Sequence, residues 1–365
     1  MDKNIDNLDI GIKNIGNTCY INSLTQCLIY TESFRDHMMN EININKIYNN
    51  ILKKNNNLIN EEKFNISRFT KILDIKISYQ MKKLFDNYMN NRKIEPKKYV
   101  ISICKNSDIF KYGFQNDAQE LYLFFINKIN EELKDNIELN IDNNIIDIYD
   151  KLIDLPYELN DKINNLLKFV NNDLSVITTP FLGFINSIIK CECNYITQNI
   201  NIFFILQLNL IKTNNDYIDI NDCLNDYNNE SLCEDYNCPK CKQQTIRKQD
   251  NIWLPPQILV IHLKRFITSY ENNVYTVNKI SDDIKYDEIL DMSKFIYNKK
   301  REYKYELYAI CNHYGSLDGG HYFSYIKKNN IWYVYDDNKV YKLENINYLQ
   351  NNYAYILFYR LNKNE

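Results

Sequence analysis

Gly11-Ile12-Lys13-Asn14-Ile15-Gly16-Asn17-Thr18-Cys19-Tyr20-Ile21-Asn22-Ser23 is a polar, glycine-punctuated loop that runs straight into an apolar helical pattern. Tyr20, Leu24, Cys27 and Leu28 fall at i, i+4, i+7 and i+8, one stripe of a 3.6-residue period. Asn17 and Thr18, just ahead of it, are N-cap residue types. The pattern predicts a helix whose first turn carries Cys19. There, unpaired backbone N–H groups and the helix macrodipole favour a thiolate over a thiol, which makes a nucleophilic sulfur at neutral pH. The competing reading is a buried structural cysteine, the commoner fate of a free thiol. A histidine partner elsewhere in the chain decides between them.

Gly315-Ser316-Leu317-Asp318-Gly319-Gly320-His321-Tyr322 is the densest glycine cluster in a chain with 7 glycines. It sets His321 after a flexible turn at the head of a strand, the edge position a general base needs. Further on, Trp332-Tyr333-Val334-Tyr335-Asp336-Asp337 ends a strand with two carboxylates. A strand, a short turn and a returning strand lay Asp336 beside His321, where a carboxylate fixes the imidazole tautomer and stabilises its charged form. The bland alternative is a hairpin with a solvated histidine and an acidic turn; convergence with Cys19 argues against it. His313, the nearest rival base, reads as part of the glycine loop. Asn14, otherwise a turn residue, can aim its amide at the oxygen of a tetrahedral intermediate, with the Cys19 backbone N–H as second donor.

The chain has 365 residues, of which 45% are hydrophobic, enough for two or three domains or one multi-lobed one. A net charge of −3 gives no argument for a nucleic-acid or membrane-surface partner. No stretch approaches the roughly 18 apolar residues of a membrane helix, and the polar start carries no signal-peptide pattern. Ten cysteines without a secretion signal point to metal binding or catalysis rather than disulfides, and to the cytosol or nucleus.

Residues 40–60, Asn- and Lys-rich, read as a surface loop or a frayed helix. Phe69, Ile72, Leu73, Ile77, Met81, Leu84, Phe85 and Tyr88 form a helical stripe that ends at Glu95-Pro96, with a second helix from Pro96 to Lys105. Asn116 or Asp117 caps a helix running through Leu133. Asp117 and Glu120, at i and i+3, are either a capping-box-like start or a paired-carboxylate site for a basic ligand. Residues 136–178 read as an insertion with one helix near 157–170. The β-rich half begins near Thr178. Cys238-Pro239-Lys240-Cys241 has the knuckle spacing that lets two thiolates grip a tetrahedral zinc. Cys191-Glu192-Cys193 is one residue short of it. Cys191, Cys193, Cys238 and Cys241 are thus a candidate four-thiolate site for one structural zinc; the alternative is a ribbon that has lost its metal and is held by packing. Cys223 and Cys233 flank it and could substitute. Ile258 to Phe266 is a β-branched strand in which His262 reads as a packed residue. Ser269 to Asp283 reads as a loop, and Tyr305–Tyr314, Tyr322–Ile326, Trp332–Tyr335 and Tyr353–Leu361 as strands.

In this order the pieces resemble the ubiquitin-specific protease family of cysteine deubiquitinases. The boxes are Gly11 to Ser23, Gln115-Asn116-Asp117-Ala118-Gln119-Glu120, the Cys238/Cys241 knuckle, Leu254-Pro255-Pro256 with Ile261-His262-Leu263-Lys264-Arg265-Phe266, Gly319-Gly320-His321-Tyr322 and Tyr355-Ile356-Leu357-Phe358-Tyr359. The likeness runs from about 9 to 361 and is greatest to short members consisting of little beyond the catalytic domain. Near Pro96-Lys97-Lys98 and Glu230-Ser231-Leu232-Cys233 it extends to members that depend on WD40-repeat activators. The resemblance implies an α+β papain-like cysteine protease shaped as a right hand: a helical thumb over about 9–178, zinc-ribbon-like fingers over about 179–252 and a β palm over about 253–361. It implies Cys19 as nucleophile, His321 as base, Asp336 as orienting acid and Asn14 as oxyanion donor, with no cofactor for catalysis. Ubiquitin and its conjugates are the implied partners. Gln115, Asp117, Glu120 and Tyr322 would contact the ubiquitin tail, the two carboxylates meeting its arginines. Asn116 stands where the family usually has histidine.

Overall fold

The computed structural model describes residues 10–39, 71–133, 170, 173–175, 177–213, 215–233, 236–242, 246–271, 274–297, 302–316 and 319–362. The loop expected at 40–60, Phe69 and nearly all of the 136–178 insertion with its helix lie outside the described residues.

The helical part comprises α1 (Cys19–Ile29), α2 (Glu32–Met39), α3 (Ile77–Met89), α4 (Lys97–Lys105) and α5 (Ala118–Leu133). Helix α1 begins at Cys19, as its stripe predicts, but every one of its residues is buried rather than one face. It lies between the main sheet and the other helices. Its polar residues are buried with partners from distant segments: Thr25 meets the Tyr99 hydroxyl at 3.2 Å, and Gln26 donates to the Ile10 carbonyl at 3.0 Å. Thr18 is the N-cap residue, but its side chain does not cap the helix; its hydroxyl accepts from Ile15 N–H at 3.1 Å. The side-chain cap expected from Asn17 or Thr18 is therefore absent, and the N–H groups of the first turn stay open toward Cys19.

The strands follow as β1 (Gly183–Lys190), β2 (Ile196–Phe203), β3 (Leu206–Asn209), β4 (Ile218–Asp219), β5 (Ser231–Cys233), β6 (Ile246–Leu254), β7 (Ile258–Lys264), β8 (Phe266–Glu271) and β9 (Val274–Lys279). Helix α6 (Ile220–Asn228) lies between β4 and β5. The last strands are β10 (Ile284–Lys285), β11 (Ile289–Asp291), β12 (Lys304–Gly315), β13 (Gly320–Lys328), β14 (Ile331–Asp336), β15 (Lys339–Lys342) and β16 (Ala354–Leu361).

The palm is a sheet ordered β15-β14-β13-β12-β16-β7-β3, with β11 against β12. Its central strands are covered on both faces, and the period-2 alternation of a strand sorts their residues. Ile258 and Val260 of β7 join the core shared with the thumb, while Leu259, Ile261 and Leu263 join a second core under β3, β4 and α6. That is why the Ile258–Phe266 run is apolar throughout. His262 shares the thumb face, is 7% exposed and packs edge-on against Tyr355, as a packed strand histidine should.

A smaller sheet, β2-β1-β6-β5, forms the fingers. The expected fingers range of 179–252 needs correction: β3, β4 and α6 lie within it but pack on the palm, because β3 pairs in parallel with β7. Residues 269–283 are likewise not a loop. Strands β8 and β9 pair antiparallel from Phe266↔Lys279 to Glu271↔Val274.

Arg265, which leaves β7, has no exposed surface. Its guanidinium donates to the carbonyls of Ala354, Ile280, Asp282 and Asn351 at 2.7–3.3 Å, and burial pulls its pKa down to about 10. Arg265→Leu would leave those carbonyls unpaired and is expected to lower unfolding free energy by about 3 kcal/mol, read by urea denaturation.

Candidate active site

Three segments meet at the thumb–palm cleft. Helix α1 presents Cys19 at its first residue, β13 presents His321 at its second, and β14 ends on Asp336. Strands β13 and β14 pair through Ser324↔Tyr335, which carries Asp336 to the diagonal of His321 on one face. His321 Nε2 and Asp336 Oδ1 are 2.6 Å apart. Cys19 lies near enough to the same ring to be the largest influence on its charge. That contact with Cys19 raises the His321 pKa to about 9; partial burial opposes it, and Asp336 adds to it. The geometry thus favours an imidazolium beside the sulfur. Cys19 itself is only 2% exposed.

The second carboxylate of the acidic pair has a separate job. Asp337 Oδ2 accepts from the Asn14 amide at 3.0 Å and Oδ1 from the Asn22 amide at 2.7 Å, while its carbonyl accepts from Ile12 N–H at 2.9 Å. It fastens the loop before Cys19, and α1 itself, to the end of the strand carrying Asp336. Gly11 packs so closely on the Asp337–Asn338 backbone that a Cβ there would overlap it. Asn14 Oδ1 accepts from the N–H groups of Gly16 and Thr18, both at 3.1 Å. Its carboxamide is therefore held rigidly, with one N–H on Asp337 and the other free of that bond.

His313 is not in the glycine loop. It sits buried in β12, where Lys279 donates to its Nδ1 at 3.1 Å and to the carbonyls of His313 and Gly315. Burial, then the charges of Lys279 and Arg265, push its pKa down to about 4. Its Nε2 faces Gly320, where any Cβ would collide with it. The glycine before His321 is thus required by packing as well as by the turn.

Asp117 caps α5: its Oδ1 accepts from Gln119 N–H at 2.6 Å and Glu120 N–H at 3.2 Å, and its Oδ2 accepts from the Tyr355 hydroxyl. Of the two readings of Asp117 and Glu120, the structure shows the cap. Glu120 is exposed, and its carboxylate takes no partner among the described residues; desolvation and the Asp117 charge hold its pKa up. Tyr322 is buried against His313, with ring centroids 4.5 Å apart. Gln115 bonds across the cleft to both backbone groups of Gly320. Asn116 donates to the Tyr20 hydroxyl at 3.3 Å.

In the fingers, Cys191, Cys193, Cys238 and Cys241 converge with all four sulfurs within 4.8 Å of one another. The Cys191–Cys241 and Cys193–Cys238 pairs are 3.4 and 3.7 Å apart. Tetrahedral zinc thiolates have sulfurs about 3.8 Å apart, so the cluster fits that ion. The short C-x-C arm works because Asn194 takes a positive φ of 63° and Cys191 N–H bonds the Tyr195 carbonyl, turning the chain at the sulfurs. Burial resists ionisation of Cys238, but N–H groups of Cys241 and Lys240 and the thiols of Cys191 and Cys193 outweigh it, bringing its pKa to about 6. Cys223 and Cys233 are not part of the cluster.

Sequence reasoning missed Asn22, Lys279, the Tyr355 hydroxyl and the separate task of Asp337. Only the Asp336-Asp337 doublet was a usable signal for any of them.

A thiol at a helix N-terminus, beside an imidazole that a carboxylate orients, is the constellation of papain-like thiol hydrolases. The sequence matches the ubiquitin carboxyl-terminal hydrolase family over residues 10–359. The chain belongs to that family, the one its motifs resemble. Ubiquitin carboxyl-terminal hydrolase 4 of Saccharomyces cerevisiae is 27% identical over 96% of the chain, which spans 39% of that relative's length. A probable ubiquitin carboxyl-terminal hydrolase of Acanthamoeba polyphaga mimivirus is 28% identical over 96% of the chain and 89% of its own length. Among solved structures, Ubp8 in the SAGA DUB module with Sgf11, Sus1 and Sgf73, bound to monoubiquitin, superposes with a TM-score of 0.70 at 23% identity, covering 100% of this chain and 71% of that one. The fold is therefore the α+β fold of the Ubp8 type. Among the described residues, no helix is long and apolar enough to cross a membrane.

Proposed function

We propose that the chain is a thiol-dependent deubiquitinase that hydrolyses the bond after the C-terminal glycine of ubiquitin. The convergence of Cys19 with the hydrogen-bonded His321–Asp336 pair carries this reading. The ubiquitin seen with Ubp8 in one related structure, and the ubiquitin aldehyde in another, support the substrate. His321 takes the thiol proton, and the sulfur attacks the glycine carbonyl. The resulting oxyanion lies by the Cys19 N–H and the free N–H of Asn14. The imidazolium then protonates the departing amine, and water, activated by His321, hydrolyses the thioester. Asp336 keeps the ring oriented throughout. Exposed Glu120 is the carboxylate ready for a tail arginine, while Asp117 holds the helix end that presents it.

We infer also that the four-cysteine cluster holds one structural zinc, which when bound ties the β1–β2 turn to the 238–241 knuckle. A cytosolic or nuclear home is part of the same proposal, the setting in which cysteines serve catalysis and metal binding.

The test is ubiquitin ending in propargylamide. Wild-type protein should form a covalent adduct at Cys19, and Cys19→Ala should form none. An assay with added cell extract covers dependence on a WD40-repeat activator. Folded wild-type protein that gives no adduct, or labelling by another modifier alone, overturns the substrate; tight ubiquitin binding without turnover makes the protein a scaffold.

A further inference from the structure

Strand alternation sets His321 on the face of the palm turned from the thumb. In β13, Tyr322 and Ile326 enter the core shared with the thumb, while Phe323 and Tyr325 pack toward the second core. His321 goes with Phe323 and Tyr325 by the period of two. Its cross-strand partner is Tyr314, so that residue shares the face. Asp336 shares it too, two residues beyond Val334, the partner of Tyr325. Around this pair the face is aromatic and open. Tyr314 is 59% exposed and meets Tyr353 edge-on, with ring centroids 5.4 Å apart. Half-buried Phe323 stands against the same Tyr353 ring at 6.2 Å. On the other side of Asp336, Lys339 is its cross-strand partner, and Tyr341, next on that face, is 52% exposed. Lys339 is exposed and makes no ion pair among the described residues.

We propose that this face docks the acceptor side of the conjugate, the polypeptide that gives up its lysine: the lysine stem lies on Tyr314 and Phe323, and an acidic residue beside that lysine meets Lys339. The inference rests on the proposed deubiquitinase reading and deepens it. Tyr322 and Tyr355, which border the proposed path of the ubiquitin tail, belong to the thumb-side core. His321 must touch the departing amine to protonate it, so the amine lies at the imidazole and the chain behind it runs away from the tail. Tyr314 is the direct neighbour of His321 on that side, since paired residues have Cβ atoms about 5 Å apart. Aromatic rings there cover the methylenes of a lysine whose amine is engaged, and bury area that no element of the palm covers. The acceptor's backbone then continues over Tyr341, past the unpaired charge of Lys339. A contiguous apolar patch with a charged rim, continuous with the catalytic pair, is the form of a protein-docking surface.

The experiment gives the full-length protein three substrates and follows product by mass spectrometry. One is ubiquitin joined to the lysine Nε of a short peptide with glutamates beside that lysine. The second carries lysines in place of the glutamates, and the third is ubiquitin methylamide, whose leaving group has no stem. Tyr314→Ala should lower kcat/KM on both peptide conjugates about fivefold, chiefly through KM, and change the methylamide by less than about twofold. Wild type should favour the glutamate-flanked peptide by about threefold, and Lys339→Glu should reverse the order. Equal losses on all three substrates overturn the proposal and make Tyr314 a positioning residue for His321. Peptide kinetics unchanged in Tyr314→Ala, or a flank preference unchanged in Lys339→Glu, also overturn it. Cleavage of the methylamide by wild type upholds the deubiquitinase reading whatever the variants do. A folded wild type that cleaves none of the three sinks that reading, and the docking surface with it.

Discussion

His321→Ala is expected to lower kcat on a ubiquitin substrate by about 10³- to 10⁴-fold, with KM changed by a small factor. The imidazole touches the reacting sulfur and must later protonate the amine, so its loss falls on the chemical step. In the proposed reading, substrate is held elsewhere, along α5 and the palm. The pH profile follows from the same contacts. His321 is raised from its ordinary 6.5 to about 9, with the Cys19 contact as the largest cause. The ring is therefore charged below that value, and the rate should fall as pH rises through about 9, where the acid for the leaving amine is lost. The stability linked to this ring has the same sign: it is fully present below the unfolded histidine's pKa and is lost as pH rises through the folded one. Cys19→Ala removes the main cause, so the His321 ring should titrate lower in that variant by NMR. A kcat loss below tenfold in His321→Ala, or an alkaline limb that persists in that variant, would show that another group supplies the proton.

Cys238→Ser should remove the metal and lower the melting temperature by about 10 °C. The core beneath the tip of the fingers is tiny: Cys191, Cys238 and Ile246 are its buried members. With so little apolar area to bury among the described residues, ordering this end of the four-stranded sheet would fall to the proposed ion. Metal analysis should find about one zinc per chain in the wild type and almost none in the variant. Scanning calorimetry should show the cysteine-bearing tip of the fingers melting apart from the thumb–palm core, because its small apolar cluster is separate from the cores that hold α1 and β12–β14. Freshly purified wild type without metal falsifies the zinc reading and returns the cluster to packing alone.

Much of the site was legible because its chemistry is local. An apolar stripe after a glycine loop sets Cys19 at a helix start, and a glycine pair before His321 makes an edge histidine. An acidic doublet closes the next strand, and C-x-x-C makes a knuckle. Each signal spans a few residues, and backbone geometry converts it directly into position. The family followed from their order. The extent of α1's burial was not legible. Its polar residues look like a solvent face until Tyr99, Ile10 and Asp337 arrive from elsewhere in the chain. Residues 269–283 carried a signal that the loop reading overlooked: Tyr270 and Val274-Tyr275-Thr276-Val277 are strand-favouring types on either side of two asparagines.

The sequence alone determined the chemical inventory: a thiol, an imidazole, carboxylates and four further cysteines, each on a recognisable turn or element end. Tertiary structure alone decided the division of labour among near-equivalent residues. Asp337 fastens the loop before Cys19 to the palm, His313 is buried against Lys279, and Asp117 caps a helix while Glu120 stays open. Those choices are set by sheet register and by which helix end lies over which strand. A shift of one residue turns a side chain to the opposite face, and no short stretch of sequence encodes where a segment three hundred residues away will lie.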